Sequence, residues 1–261
     1  MDRWVGKLAV ITGASSGIGA AAVDEFLDHG INVIGLARRK QNLLEMAEKF
    51  ANKKGRFYGF KADVTNETEI LEVFKWIDEY VGPVHILVNN AGLIKVGTSL
   101  INGNVQTWRD IFETNVLGLC LVTREAIRCM EKYSIAGQII HMNSIFGHKV
   151  GKLPFTNVYP ASKHAVTALT ETLRRDLISR RLPIKVTNLS PGLVQTEMLD
   201  SNHTELVKKI PLSIATEVNK SLQALPVLTT GEVVDAIMYI LSTPVRVQVH
   251  ELILKPLYEM E

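Results

Sequence analysis

The 261-residue sequence predicts an α/β fold, a doubly wound parallel sheet of about seven strands with helices on both faces. Three observations lead there. Short apolar runs alternate with helical stretches along the chain, and such alternation closes as right-handed crossovers between parallel strands. A glycine-rich turn joins the first apolar run to a helix. The composition, 46% hydrophobic, allows a substantial core, and α/β folds of this length commonly stay one domain, expected here over residues 1–261. No internal repeat or low-complexity segment breaks the pattern.

Taken in order, the first strand is expected at residues 8–12. It runs into Thr12-Gly13-Ala14-Ser15-Ser16-Gly17-Ile18-Gly19, and the stretch from Ala20 to Leu27 has helical composition with an apolar stripe. Glycines there permit a tight turn and close backbone approach, while the helix N-terminus offers free N–H groups to the pyrophosphate of a dinucleotide. The second strand, 32–36, ends in Ala37-Arg38-Arg39-Lys40. A carboxylate on the ribose hydroxyls would mark NAD at this place, and Ala37 is neutral. Arg38 instead offers a planar fork of donors to a 2′-phosphate, which points to NADP. Further strands are expected at 56–61, 84–89, 138–143, 184–190 and 250–254. If 108–133 is one helix, Cys120 and Cys129 point to opposite faces, as buried thiols and not as a disulfide or metal pair.

The most specific chemistry lies in Tyr159-Pro160-Ala161-Ser162-Lys163, with Ser144 fifteen residues before the tyrosine. A four-residue helical spacing puts Tyr159 and Lys163 on one face, so the ammonium is expected to favour the ionised phenol. A free phenol has a pKa of about 10. A unit charge about 4 Å away contributes on the order of 4 kcal/mol at an effective dielectric of roughly 20, an upper bound of roughly three pKa units. Such a tyrosine exchanges protons with an alcohol near neutrality, and the Ser144 hydroxyl holds the substrate oxygen. Pro160 lacks an N–H that has no partner in a first helical turn, so this helix is expected to begin close to Tyr159.

The Thr-Gly-x-x-x-Gly-x-Gly spacing resembles the signature of the short-chain dehydrogenase/reductase family, and the likeness runs through nearly the whole chain. Asn89-Asn90-Ala91-Gly92 matches the family's segment after its fourth strand, and Ser190-Pro191-Gly192-Leu193-Val194-Gln195-Thr196 matches its Pro-Gly turn. Asn115, Ser144, Tyr159 and Lys163 match its four catalytic residues. The resemblance implies that Asn115 holds a relay water and that Lys163 also binds the ribose hydroxyls. It implies cofactor contacts from Gly13, Ser15, Ser16, Gly17, Ile18 and Gly19, and from Arg38, Arg39, Asp63 and Val64, the last two at adenine. Asn90, Ala91, Gly92, Tyr159, Lys163, Pro191, Gly192, Val194 and Thr196 complete that set. The Rossmann order 3-2-1-4-5-6 with a seventh strand follows, as does a homodimer or homotetramer through the helices carrying Asn115 and Tyr159.

Residues 197–228 show no strand signal and many apolar residues, and in the family this region is a lid over the substrate. Within the family, Tyr159-Pro160-Ala161-Ser162-Lys163-His164-Ala165-Val166 and Leu241-Ser242-Thr243-Pro244 look like the insect farnesol dehydrogenases and related animal steroid and carbonyl reductases. An NADP-dependent oxidoreductase for an apolar alcohol or carbonyl is implied, with farnesol or a similar isoprenoid alcohol first and a steroid or retinoid carbonyl second. A non-catalytic NADP-binding sensor or scaffold would show a degraded tetrad, and all four residues are present.

A net charge of +2 with dispersed basic residues gives no nucleic-acid surface. Arg174-Arg175 and Arg180-Arg181 read as a solvated helix end. The seven histidines show no metal spacing. The first strand begins too early to leave room for a secretory signal, and no apolar run reaches the roughly eighteen residues of a membrane span. With the low cysteine count, cytoplasm is the expected location.

Overall fold

The computed structural model describes residues 1–150, 157–201, 204 and 225–259. Seven parallel strands form one sheet in the order β3-β2-β1-β4-β5-β6-β7. They are β1 (Leu8–Thr12), β2 (Asn32–Ala37), β3 (Phe57–Lys61), β4 (Val84–Asn89), β5 (Gln138–Met142), β6 (Lys185–Pro191) and β7 (Glu251–Leu254). Each lies within one residue of its expected bounds, and the central strands, covered on both faces, read as uninterrupted apolar runs. All five residues of β1 are buried.

Helices cover both faces. On one face α1 (Gly17–Asp28) packs beside the last helix, α7 (Thr230–Ser242), around Phe26, Leu27, Ile237 and Leu241. Between them in sequence lie α2 (Lys40–Lys49), α3 (Glu67–Tyr80), α4 (Val105–Phe112), α5 (Leu119–Lys132) and α6 (Val158–Ser179). Ile70 and Ile77 of α3, Val122 and Met130 of α5, and Leu177 of α6 fill the opposite face. Thr229 and Glu232 form a reciprocal capping box that starts α7.

The helix expected at 108–133 is longer and not uniform. A π-helical turn, Glu113–Gly118, joins α4 to α5. Its extra residue turns Asn115 into the interior, and such turns concentrate at functional sites. Gly118 meets Val64 there, where an added Cβ would come within 2.8 Å of Val64 Cγ2. Cys120 and Cys129 are free thiols on the α5 helix, and both are partly buried. α6 starts one residue before Tyr159, which leaves Pro160 in the first turn. The arginines on its end form surface ion pairs, with Arg175 and Arg180 exposed. Arg174 and Arg175 bond Glu171, and Arg180 reaches Glu131. Of the expected lid, residues 202–203 and 205–224 lie outside the described residues.

Candidate active site

The carboxyl ends of β1, β4, β5 and β6 converge where the strand order reverses between β1 and β4, the place where open α/β sheets bind ligands. The glycine turn is built there by close backbone approach. Gly13 has φ +64°, and an added Cβ would press on Ala91 Cα at 3.0 Å. A Cβ on Gly19 would overlap the Gly13 carbonyl oxygen and the Asn90 amide. Asn90 staples the turn to β4, its Nδ2 donating to the Thr12 carbonyl at 3.0 Å and the Gly13 carbonyl at 3.2 Å. The Thr12 hydroxyl accepts from the backbone N–H of Asn90 and of Ala91, at 3.0 and 2.9 Å. Ser16, at the N-cap of α1, makes no side-chain cap bond, and the first turn holds no carboxylate. The helix therefore presents open N–H groups and its positive end, which fits the pyrophosphate of a dinucleotide.

Ser144 leaves β5 and caps a short 3-10 turn, Ile145–Gly147, accepting from Phe146 N–H at 3.2 Å. Its hydroxyl acts on the Tyr159 phenol, favouring the ionised form. The Tyr159 ring also meets Phe146 edge-on, centroids 6.3 Å apart. Lys163 is buried with its ammonium 5.8 Å from the Tyr159 ring centroid, donating to the Met142 carbonyl at 2.9 Å. Asn115 accepts from Leu93 N–H at 2.7 Å and donates to the Leu93 carbonyl and to Ser162 Oγ, both at 2.9 Å. Ser162 in turn donates to the Tyr159 carbonyl at 2.7 Å. The four residues thus share one small volume, with Ser162 and Leu93 as connectors.

Burial sets the electrostatics of this pair. It pushes the Tyr159 phenol up to about 12, against the opposing influence of Ser144. Burial likewise pulls the Lys163 ammonium down to about 8. The lysine stands near the ring, and burial is the larger influence on the phenol.

At the other end of the cleft the arginines behave differently. The Arg39 guanidinium donates to Ser16 Oγ at 2.6 Å and Ser15 Oγ at 3.3 Å, and its Nη1 pairs with Glu197 at 2.7 Å. Arg38 is held loosely, its side chain 69% exposed and 4.0 Å from Asp63. The Asp63 carboxylate accepts from the Thr65 N–H and hydroxyl, and Val64 is buried. Past β6, Gly192 N–H donates to the Leu254 carbonyl at 2.8 Å, and Val194 bridges Leu228. This brings Thr196 over the glycine turn, its Cγ2 3.3 Å from where a Gly17 Cβ would stand. Sequence reasoning missed Thr12, Ser162 and Met142 as parts of this assembly. Thr12 opens the glycine motif and Ser162 sits inside the Tyr-x-x-x-Lys segment, so position in a motif signalled both, whereas a backbone carbonyl such as that of Met142 leaves no sequence mark.

The fold and this cleft define a dinucleotide-type oxidoreductase. The chain matches the short chain dehydrogenase family over residues 7–206. It is 46% identical to a farnesol dehydrogenase of Aedes aegypti over 99% of both chains. It is 37% identical to human dehydrogenase/reductase SDR family member 11, over 98% of this chain and 96% of that one. Among solved structures, a serine dehydrogenase complexed with NADP+ superposes with TM-score 0.80 at 27% identity, over 95% of this chain and 94% of the other. An actinorhodin polyketide ketoreductase with NADPH superposes with TM-score 0.82 at 26% identity, over 96% of each chain. The protein belongs to the short-chain dehydrogenase/reductase family.

Proposed function

We propose that the protein is an NADP-dependent oxidoreductase that interconverts an apolar alcohol and its aldehyde or ketone, with farnesol or a similar isoprenoid alcohol as substrate. The observation that carries this reading is the buried Lys163, anchored on Met142 with its ammonium 5.8 Å from the Tyr159 ring centroid, beside an uncapped helix N-terminus. The substrate oxygen binds between the Ser144 hydroxyl and the Tyr159 phenol, and Tyr159 exchanges its proton. Lys163, anchored on Met142, holds the ribose hydroxyls. The Asn115 amide is engaged by Leu93 and Ser162, so its share in a proton relay is to hold the loop and helix that frame a water. Gly13, Ser15, Ser16, Gly17, Ile18 and Gly19 cradle the phosphates, and Arg38 takes the 2′-phosphate beside neutral Ala37. The bound nicotinamide supplies hydride transfer.

The identity to an insect farnesol dehydrogenase supports the isoprenoid. A steroid or retinoid carbonyl is the second reading, from the likeness of the segment after Tyr159 and of Leu241-Ser242-Thr243-Pro244 to animal steroid and carbonyl reductases. One domain with a lid over 197–228 belongs to the same proposal, supported by seven strands in one sheet. So does a homodimer or homotetramer through α5 and α6. Ala161 and Ala168 of α6 are exposed, Ala165 is half-buried, and Leu117 beside α5 is 57% exposed, a surface of small and apolar residues that a second copy could cover. Both cysteines are free, in keeping with a cytoplasmic location.

Farnesol, geraniol and a three-carbon alcohol, assayed with NADP, test the substrate. Each buried methylene adds about 0.8 kcal/mol, so catalytic efficiency should rise by one or more orders of magnitude along that series. A flat response removes the apolar site, and a preference for a steroid alcohol and its ketone transfers the assignment to the second reading. Tyr159→Phe, run beside the wild type, should lose turnover and keep NADPH binding. NADPH binding without turnover of any alcohol or carbonyl would make the protein a sensor or scaffold.

A further inference from the structure

Three consecutive residues at the end of β5 hydrogen-bond α6, and the next, Ser144, acts on Tyr159. His141 Nδ1 lies 2.9 Å from Thr170 Oγ1. The Met142 carbonyl accepts from Lys163, and Asn143 Nδ2 donates to Thr167 Oγ1 at 2.8 Å. Helix positions 159, 163, 167 and 170 fall on one face, so this is a polar seam along a single line of contact. His141 alone in the seam also reaches a second helix, its Nε2 standing 3.3 Å from Thr123 Oγ1 of α5. Thr123 accepts from Asn89 Nδ2 of β4 at 2.7 Å. All four of Asn89, Thr123, His141 and Thr170 are buried.

The protons in this chain have one consistent direction. The Thr170 hydroxyl donates to the Val166 carbonyl at 2.8 Å, so its oxygen accepts from His141 and the imidazole proton sits on Nδ1. Nε2 then accepts from the Thr123 hydroxyl, whose oxygen accepts from Asn89. Burial, with the nearby Lys163 charge, holds the ring neutral, its pKa down at about 3. Every link carries one proton.

We propose that His141 is a positioning residue for the redox reaction, its neutral imidazole bridging Thr123 of α5 and Thr170 of α6 so that Tyr159 and Lys163 stand in register with Ser144. The proposal rests on the roles given above to those three residues. The layer around the bridge is otherwise apolar, with Val122, Ala126 and Met130 of α5 against Ile139 of β5. Apolar surfaces tolerate a small axial slide, because dispersion is shared over many weak contacts. A hydrogen bond weakens steeply with distance and angle, so a buried bridge between two helices sets their axial position. Proton and hydride transfer need that setting, since a misplacement of about 1 Å can cost on the order of a hundredfold in rate.

The test compares His141→Leu, which fills the space without hydrogen bonds, with His141→Gln, whose amide can donate to Thr170 and accept from Thr123. The readouts are kcat for the panel substrate of highest turnover, the NADPH dissociation constant by cofactor fluorescence, and Tm. The leucine variant should lose about tenfold or more in kcat and bind NADPH more weakly as Lys163 shifts, and the glutamine variant should recover most of both. If the leucine variant does not fold, Thr123→Val and Thr170→Val each remove one end of the bridge at nearly constant shape and should show the same losses in smaller measure. A fall in Tm with kcat and NADPH binding unchanged would assign His141 a merely structural part and overturn the proposal. Equal losses in the leucine and glutamine variants would overturn it too. Tyr159→Phe in the same assay tests the proposed function separately, and if no substrate turns over, the NADPH titration alone decides for or against the bridge.

Discussion

At Ala37 the second strand ends on a methyl group, and the next residue, Arg38, projects a loosely held guanidinium. Arg39 is committed to Ser15, Ser16 and Glu197, whereas Arg38 is held only by Asp63 at 4.0 Å. Ala37→Asp with Arg38→Leu should therefore move preference from NADP toward NAD. Charge-assisted contacts contribute about 1.5 to 3 kcal/mol, so each change should shift the ratio of catalytic efficiencies roughly tenfold to a hundredfold. A wild type equally efficient with both cofactors would sink this reading. Proton affinity at Tyr159 sets a second expectation. An alcohol gives up its proton only to an ionised phenol, and burial raises that pKa to about 12. Alcohol oxidation should then climb with pH through the alkaline range, while carbonyl reduction, which needs the protonated phenol, should stay level up to pH 10. Rates in both directions between pH 6 and 10 check the sign, and an oxidation rate that falls as pH rises contradicts it.

Among the elements, the turn from β1 to α1 tolerates least. Gly19 lies where any Cβ meets the Gly13 carbonyl, which is backbone and cannot swing aside. Gly19→Ala should weaken NADPH binding by at least about tenfold, through displacement of the turn from the phosphates, and a titration with an unchanged dissociation constant would show that the turn adapts. The π turn shows the opposite economy. By inserting one residue between α4 and α5 it aims the Asn115 amide at Leu93 and Ser162, joining the segment after β4 to α6. Amphipathic spacing could indicate a helix there but not the extra residue, because a π turn depends on the backbone's hydrogen-bond partners and not on residue type alone.

For the whole molecule, the order β3-β2-β1-β4-β5-β6-β7 leaves α5 and α6 side by side with an outward face. Ala161 and Ala168 lie open on that face, and their small side chains would let a second copy approach closely. Ala168→Arg puts a long charged side chain on this surface and should shift sedimentation toward the monomer. Unchanged assembly would place the interface elsewhere. The same arrangement puts α1 and α7 behind the glycine turn, so the site rests on packed helices and not on loops alone.

Strand positions, the glycine turn, the Tyr159-Lys163 pair and the Ser144 hydroxyl were legible in the sequence because each depends on local spacing. A buried parallel strand needs an apolar run, a tight turn needs glycine, and a shared helix face needs a four-residue interval. The raised proton affinity of Tyr159, the anchoring of Lys163 on the Met142 carbonyl and the His141 bridge were not legible. They arise from groups distant in sequence, from backbone atoms common to every residue, and from the loss of water around a phenol and an ammonium. Chemistry types and their order follow from sequence, whereas proton affinities and register between elements follow from burial and packing, which exist only once the chain has closed on itself.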